Sequence, residues 1–406
     1  DARALGLPKM LTLGLQHMFA MFGATVLVPI LVNTYGLPLS IQTTLFFAGL
    51  GTLFFHLCTQ FKVPAFLGSS FAFLGGFAAI GAMNSGIYAV MSGAEKLQYA
   101  CGGIVVAGLL YVVLSLIIKA VGVHRVMRFL PPVVTGPIII LIGLNLAPSA
   151  VNNAKTCWWL ALVAMAIIIA ANIWGKGMVK IIPILLGVVG SYCVALIANA
   201  CGATVITDLS TGDVGPMLDF SGMGGAKLIG LQPFFTNFSG NVAKFDISAI
   251  LVMAPIAIAS MMEHIGDISA ISATVGGNFI EDPGLNRTLL GDGLATSLAA
   301  LFGGPANTTY GENTGVLVLS KVYDPRVVRL AAVYAMILSF SPKFAVLVNS
   351  IPAAIIGGVS FILYGMISAI GVRNVVENKV DFTNSRNLII AAVILVCGLG
   401  FTDGLT

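Results

Sequence analysis

The sequence predicts an all-α polytopic membrane protein, built as two inverted repeats with two short strands set into half-helices at mid-membrane. Composition, segment count and an internal repeat carry that prediction. Hydrophobic residues make up 58% of the 406-residue chain, charged residues 9%, and mean hydropathy is +1.00. Soluble domains carry about 25% charged residues, so a water-facing surface cannot be built from this inventory. Apolar runs long enough to cross ~30 Å of hydrocarbon recur along the chain. The net charge of +4 comes without a basic run or an aromatic-interleaved patch, so nucleic acid is not an expected partner. Membrane lipids are.

Thirteen apolar segments follow in order, near residues 10–33, 40–60, 69–84, 97–119, 129–151, 157–174, 181–201, 247–273, 288–304, 307–320, 326–342, 345–370 and 386–402. Those at 69–84, 288–304 and 307–320 are short for a helical crossing. Positive charge tests the division independently. With a cytoplasmic N-terminus, fifteen of the 20 Lys and Arg, from Arg3 and Lys9 to Arg386, fall inside, and Lys96, Lys155, Lys227, Lys244 and Lys343 fall outside. Losing one span would scramble that alternation, so a multi-pass protein of the cytoplasmic membrane is expected. The first run holds Gln16 and His17 and lacks a cleavage site, so it does not read as a signal peptide. Asp1 stands in place of an initiator methionine, so a trimmed native N-terminus is expected. The six cysteines (58, 101, 157, 193, 201 and 397) form no CxxC pair and no metal-ligand spacing, so no metal or cofactor is expected.

The longest polar stretch, 202–246, contains Asp208, Asp213, Asp219 and Asp246 and separates a first half, 1–201, from a second, 247–406. Afterwards the pattern repeats. The segments VPAFLGSSFAF (63–73) and GPANTTYGENTG (304–315) each open near Pro-Ala and continue through small and hydroxyl-bearing residues. LPPVVTGPIIILIG (130–143) resembles IPAAIIGGVSFILYG (351–365), with Pro131 and Gly136 matching Pro352 and Gly357. Seven spans before the loop, an odd number, invert the second half relative to the first. Inverted repeats with interrupted helices are the common plan of secondary transporters, with the site at mid-membrane.

Chemistry concentrates in three acids. Before residue 208 the chain holds only Asp1 and Glu95, yet Glu263, Asp267 and Glu312 sit inside apolar stretches. An ionisable group at bilayer depth is expensive and rarely idle. Glu263 and Asp267 are spaced i, i+4, which puts both carboxyls on one helix face. Two carboxyls so close cannot both ionise cheaply, so the pair is expected to hold a shared proton. Asp292 is expected only to cap its segment or pair with Arg287, and His56 and His124 to be ordinary residues at membrane edges. Gly-Ser-Ser and Thr-Thr runs are poor helix formers. Irregular backbone at this depth survives only where it is buried or lines a cavity. Free amides facing carboxylates suit a neutral planar ligand with alternating N–H and C=O groups, such as uracil or an oxidised purine. Three acids would repel an anion, and Phe71, Tyr310 and Tyr364 suit a ring better than a metal ion.

The strings LQHMFAMFGATVLVP (15–29), PAFLGSSFAF (64–73), EHIGD (263–267), NTTYGENTGV (307–316) and ILYG (362–365) together resemble the nucleobase–ascorbate transporter family, most of all its bacterial uracil permease branch. The resemblance runs from about residue 8 to residue 400. It implies fourteen spans in two inverted repeats, core and gate domains interleaved across both, proton-coupled import of uracil by alternating access, and a homodimer. It also implies that Glu263 and Glu312 bind opposite edges of the base, that Phe71 and Gly311 offer backbone, and that Ala24, Tyr310 and Tyr364 line the pocket. Proton coupling falls to Glu263, Asp267 and Glu312, and support of the site to Gln16, His17 and Asn313. Asp267 departs from the uracil pattern, where a histidine is usual, and leans towards purine carriers. The chain also ends at Thr406, before the fourteenth span that the resemblance implies.

Other readings fare worse. A xanthine or uric acid permease is the nearest alternative, because Asp267 favours it while Glu312 in YGEN favours uracil. An intramembrane aspartyl protease needs Gly-x-Gly-Asp, which neither Asp267 nor Asp292 completes, and no His-Glu-x-x-His motif is present. The chain is therefore not expected to be an enzyme, and a channel would not need this constellation.

Overall fold

The computed structural model describes residues 6–128, 131–207 and 209–404. Asp1, Arg3, Leu130, Asp208 and Thr406, on which the charge count, the repeat and the chain-end expectation draw, lie outside the described residues. The first half runs α1 (Leu7–Thr34), α2 (Ile41–Cys58), β1 (Leu67–Ser69), a 3-10 turn at Phe71–Phe73, α3 (Leu74–Ala82), α4 (Gly93–Val121), α5 (Val123–Met127), α6 (Pro132–Lys155), α7 (Trp158–Ile173), α8 (Met178–Ile181) and α9 (Pro183–Ala200). The polar connection folds as a hairpin of β2 (Thr204–Ile206) and β3 (Val214–Pro216) with short helices α10 (Pro233–Thr236) and α11 (Phe238–Asn241). The second half runs α12 (Ile247–Met253), α13 (Ile256–Val275), α14 (Leu285–Leu301), β4 (Asn307–Thr309), α15 (Gly311–Ser320), α16 (Pro325–Ser339), α17 (Pro342–Asn349), α18 (Ala353–Glu377) and α19 (Ser385–Gly404).

Each of the thirteen expected segments falls on a helix or a strand–helix unit, with one redistribution. Residues 345–370 do not form one span. Pro352 cannot donate to the preceding turn and disfavours helix at Ile351, so α17 stops at Asn349 and α18 starts afresh at Ala353. Helix α17 instead follows α16 at an 87° bend, where Pro342 sits at a helix start whose Ser341 side chain accepts from the Phe344 N–H. Among the described residues, seven helices are long and apolar enough to cross a membrane, or eight with α16 and α17 taken as one broken span.

The chain divides into two compact, sequence-interleaved units. One comprises the chain up to Lys119, Ile169–Leu186 and Asp219–Ile351; the other comprises Ala120–Ile168, Gly187–Leu218 and the chain from Pro352. In the second unit α6 and α18 lie against each other through small residues, with Gly136 close to the Gly371 backbone and Gly143 close to the Tyr364 carbonyl. Such close approach is how helices gain packing energy where lipid replaces water.

The first unit surrounds a two-stranded antiparallel sheet, β1 with β4, in the register Leu67↔Thr309, Gly68↔Thr308 and Ser69↔Asn307. Two further main-chain bonds close its ends, Ser70 N–H to Ala306 O at 2.8 Å and Tyr310 N–H to Phe66 O at 3.0 Å. A two-stranded ribbon is marginal alone. Burial stabilises this one: every residue of both strands is buried, and Leu67 packs among Phe55, Ile268, Ala295 and Leu317. Gly68 is required by close approach, because a Cβ there would overlap the Tyr310 ring.

Candidate functional site

Each strand leads directly into a helix, so the sheet presents two helix starts. Phe71 opens the run Phe71–Ala82, and Gly311 opens α15. Neither start has a side-chain cap: Ser70 and Tyr310, the residues before them, make no capping bond. The first amides of a helix need partners from outside it, and the dipole makes that end attractive to electron-rich groups. At α15 the chain supplies its own acid, Glu312, in the first turn.

Helix α13 brings the other two acids. Its 3.6-residue period puts Glu263, Gly266, Asp267 and Ala270 on one accessible face, while His264, Ile265 and Ile268 turn inward. Glu263 is exposed and Glu312 is half-buried. Open space lies beside these groups. No atom comes within 4 Å of where a Cβ on Gly266 would stand, and at Gly311 only Asp267 Oδ1 does, at 3.6 Å.

Several sequence-derived residues are therefore brought together within the first unit. Phe71 (9% exposed), Tyr310 (4%) and Ala24 (1%) are buried. The Tyr310 hydroxyl donates to Ser69 O at 2.8 Å, tying the two strand ends together. Asn313 Nδ2 donates to His17 O at 3.0 Å and lies 3.1 Å from His17 Nδ1, which ties α15 to α1. Gln16 is half-buried beside it. Tyr364 belongs to the second unit, on α18, where its hydroxyl accepts from Ser149 at 3.5 Å.

Two sequence expectations need correction. Asp267 is not hydrogen-bonded to Glu263; its Oδ2 accepts from the Thr309 hydroxyl at 2.9 Å, because β4 passes closer than the neighbouring turn of α13. Asp292 neither caps its helix nor meets Arg287. It is fully buried, 2.9 Å from His264 Nδ1, while Arg287 is exposed. His56, in the last turn of α2, is fully buried and its Nε2 lies 2.8 Å from Ala65 O, which pins the approach to β1. The His264–Asp292 pair was thus missed. Asp292 carries the same signal as the other acids, a carboxyl in an apolar helix. His264, turned to the buried side of α13, carried none.

The fold defines a polytopic membrane protein whose broken helices lead out of a buried two-stranded sheet. A model of the Permease family matches residues 8–405. The chain is 42% identical over 399 residues to the uracil permease of Bacillus caldolyticus, covering 96% of this chain and 85% of that protein. It is 40% identical to the uracil permease of Bacillus subtilis (strain 168), covering 95% and 84%. Among solved structures it resembles the transmembrane domain of the cyanobacterial bicarbonate transporter BicA, with a TM-score of 0.66 at 16% identity over 96% of this chain and 94% of that one. That last likeness concerns the fold alone, the all-α inverted repeat of seven plus seven spans. The chain belongs to the permease family, the nucleobase–ascorbate transporters, in its bacterial uracil permease branch.

Proposed function

We propose that this chain imports uracil across the cytoplasmic membrane, coupled to protons, by alternating access. The observation that carries the reading is the open space at Gly266 and Gly311, faced by two uncapped helix starts and by Glu263 and Glu312. Backbone N–H groups at Phe71 and Gly311 donate to the carbonyls of the base. Carboxylates at Glu263 and Glu312 accept from its N–H groups. Each edge of a uracil ring is then matched, and an anion is not. The relatives bearing the name uracil permease support the same substrate.

The proton sits among Glu263, Asp267 and Glu312, and its arrival lowers the cost of closing the site around a neutral base. The first unit acts as the substrate-bearing core and the second as the gate, because the acids and the strand–helix units belong to the first. The N-terminus faces the cytoplasm by the distribution of Lys and Arg, and the carrier works as a homodimer. Asp267 keeps xanthine or uric acid as the second substrate reading.

Uptake of labelled uracil into proteoliposomes at two external pH values tests this. Glu312→Gln should lose binding by about tenfold to a hundredfold, the scale of a charge-assisted hydrogen bond. Asp267→Asn should keep binding and lose its pH dependence. Stronger competition by xanthine than by unlabelled uracil would transfer the assignment to the purine reading.

A further inference from the structure

Two threonines outside the candidate site occupy matching places in the two repeats. In an antiparallel pair, alternate residues direct their main chain to the partner strand and away from it. The bonds from Ser70 to Ala306 and from Tyr310 to Phe66 direct the main chain of Leu67 and Asn307 to the outer edges. An unpaired edge at membrane depth is costly. On one edge Thr296 of α14 meets Asn307: its hydroxyl donates to Asn307 O at 3.0 Å and accepts from Asn307 N–H at 3.1 Å. On the other edge Thr52 of α2 meets Leu67: its hydroxyl accepts from Leu67 N–H at 2.9 Å. The single Thr52 proton faces Leu67 O at 3.2 Å and Ala48 O at 2.8 Å.

A hydroxyl is donor and acceptor at one atom, so each threonine stands in for a missing third strand. The geometry repeats. Leu67 and Asn307 are each the first residue of their strand, and each lies four residues before the start of its half-helix, Phe71 or Gly311. Both clamps sit at 0–1% exposure, with no water to replace them.

We propose that Thr52 and Thr296 are positioning residues, a matched pair of edge clamps that set where the two half-helix starts lie and so set substrate affinity. This rests on the reading that those starts bind uracil. Clamping at the first strand residue holds the extended backbone from behind, and the free amides at its far end inherit the alignment.

The full-length chain in proteoliposomes tests it with Thr52→Val and Thr296→Val, which remove the hydroxyl and keep the shape, and with Thr→Ser at each site, which keeps the hydroxyl. Each valine should raise KM for uracil about tenfold, the scale of one lost hydrogen bond, with Vmax per folded carrier unchanged. Thr296→Val should act more strongly, because its hydroxyl makes both bonds to one residue. Serine should restore KM. In ligand-free protein, hydrogen exchange should quicken in peptides covering 66–71 and 306–311 of the valine variants. If the valine variants do not accumulate, Thr→Cys, with its weaker and longer bonds, should give a KM between serine and wild type on one side and loss on the other. Valine variants with wild-type KM and unchanged exchange, or serine and cysteine variants that behave alike, overturn the clamps. A wild-type chain that binds no uracil defeats the substrate reading instead, and leaves the exchange result to decide the clamps.

Discussion

The two strand–helix units of the first unit share a plan and differ in what they carry. The unit of β1, the Phe71 turn and α3 presents main chain and no ionisable side chain, and its far end is held from outside. Lys96 of α4, only 8% exposed, donates to Gly81 O at 3.1 Å and to Met83 O at 2.6 Å, so an ammonium meets the last carbonyls and the negative end of the dipole. The unit of β4 and α15 presents Glu312 and Asn313, and closes its own far end: Lys321 takes the left-handed conformation at φ 54° and its N–H returns to Leu317 O. It is also tied to α13 through Thr309 and Asp267, behind which lies the His264–Asp292 pair. The corresponding side-chain hydrogen bond from the β1–α3 unit to α13 is the longer, 3.4 Å contact between the Ser70 and Ser260 hydroxyls. One plan therefore yields two parts, a neutral backbone face positioned by neighbours and a charged face braced within its own surroundings.

Asp292→Ala breaks that comparison most severely. It leaves the buried His264 ring without its partner and a cavity beside it, and should cost about 3 kcal/mol of stability; thermal unfolding in detergent measures it, and a midpoint near wild type would show that the brace is dispensable. Lys96→Met keeps the apolar stem and removes the ammonium. It should cost about 2 kcal/mol through two charge-assisted bonds, with Lys96→Arg recovering most of the loss on the same melt. Equal midpoints for the two variants would mean that the first half-helix needs bulk and not charge at its end. The smallest effect is expected at Lys321→Gly, which relieves a left-handed side-chain residue and should stabilise by about 1 kcal/mol. A drop in midpoint there would show the Lys321 side chain to matter, against the self-closing description of α15.

Much of this was legible along the chain, because membrane burial punishes the wrong residue severely. Glu263, Asp267 and Glu312 stood out as carboxyls in apolar runs, and all three fall in one compact unit. The extended pieces were legible from Gly68-Ser69-Ser70 and Thr308-Thr309, which resist helix. What could not be read was any partner across the fold. Thr52 looks like Thr43 and Thr44 on the same helix, and only the passage of β1 beside it singles it out. Lys96 reads as one more outward-facing charge until Gly81 and Met83 are seen to end against it. Asp292 looked like a helix-start residue beside Arg287, since neighbours in sequence are the only ones a sequence displays.

The sequence by itself determined the apolar solvent, most of the helical segments, the broken segments and the placing of acids within apolar runs, because transfer between water and lipid acts residue by residue and leaves its record in local composition. Tertiary structure alone decided the β1–β4 register, the turn of Asp267 towards Thr309, the burial of His264 against Asp292 and the bend between α16 and α17. Those outcomes depend on which main-chain and side-chain groups meet across the fold, and a dry interior admits only the arrangement in which nearly every one of them finds a partner.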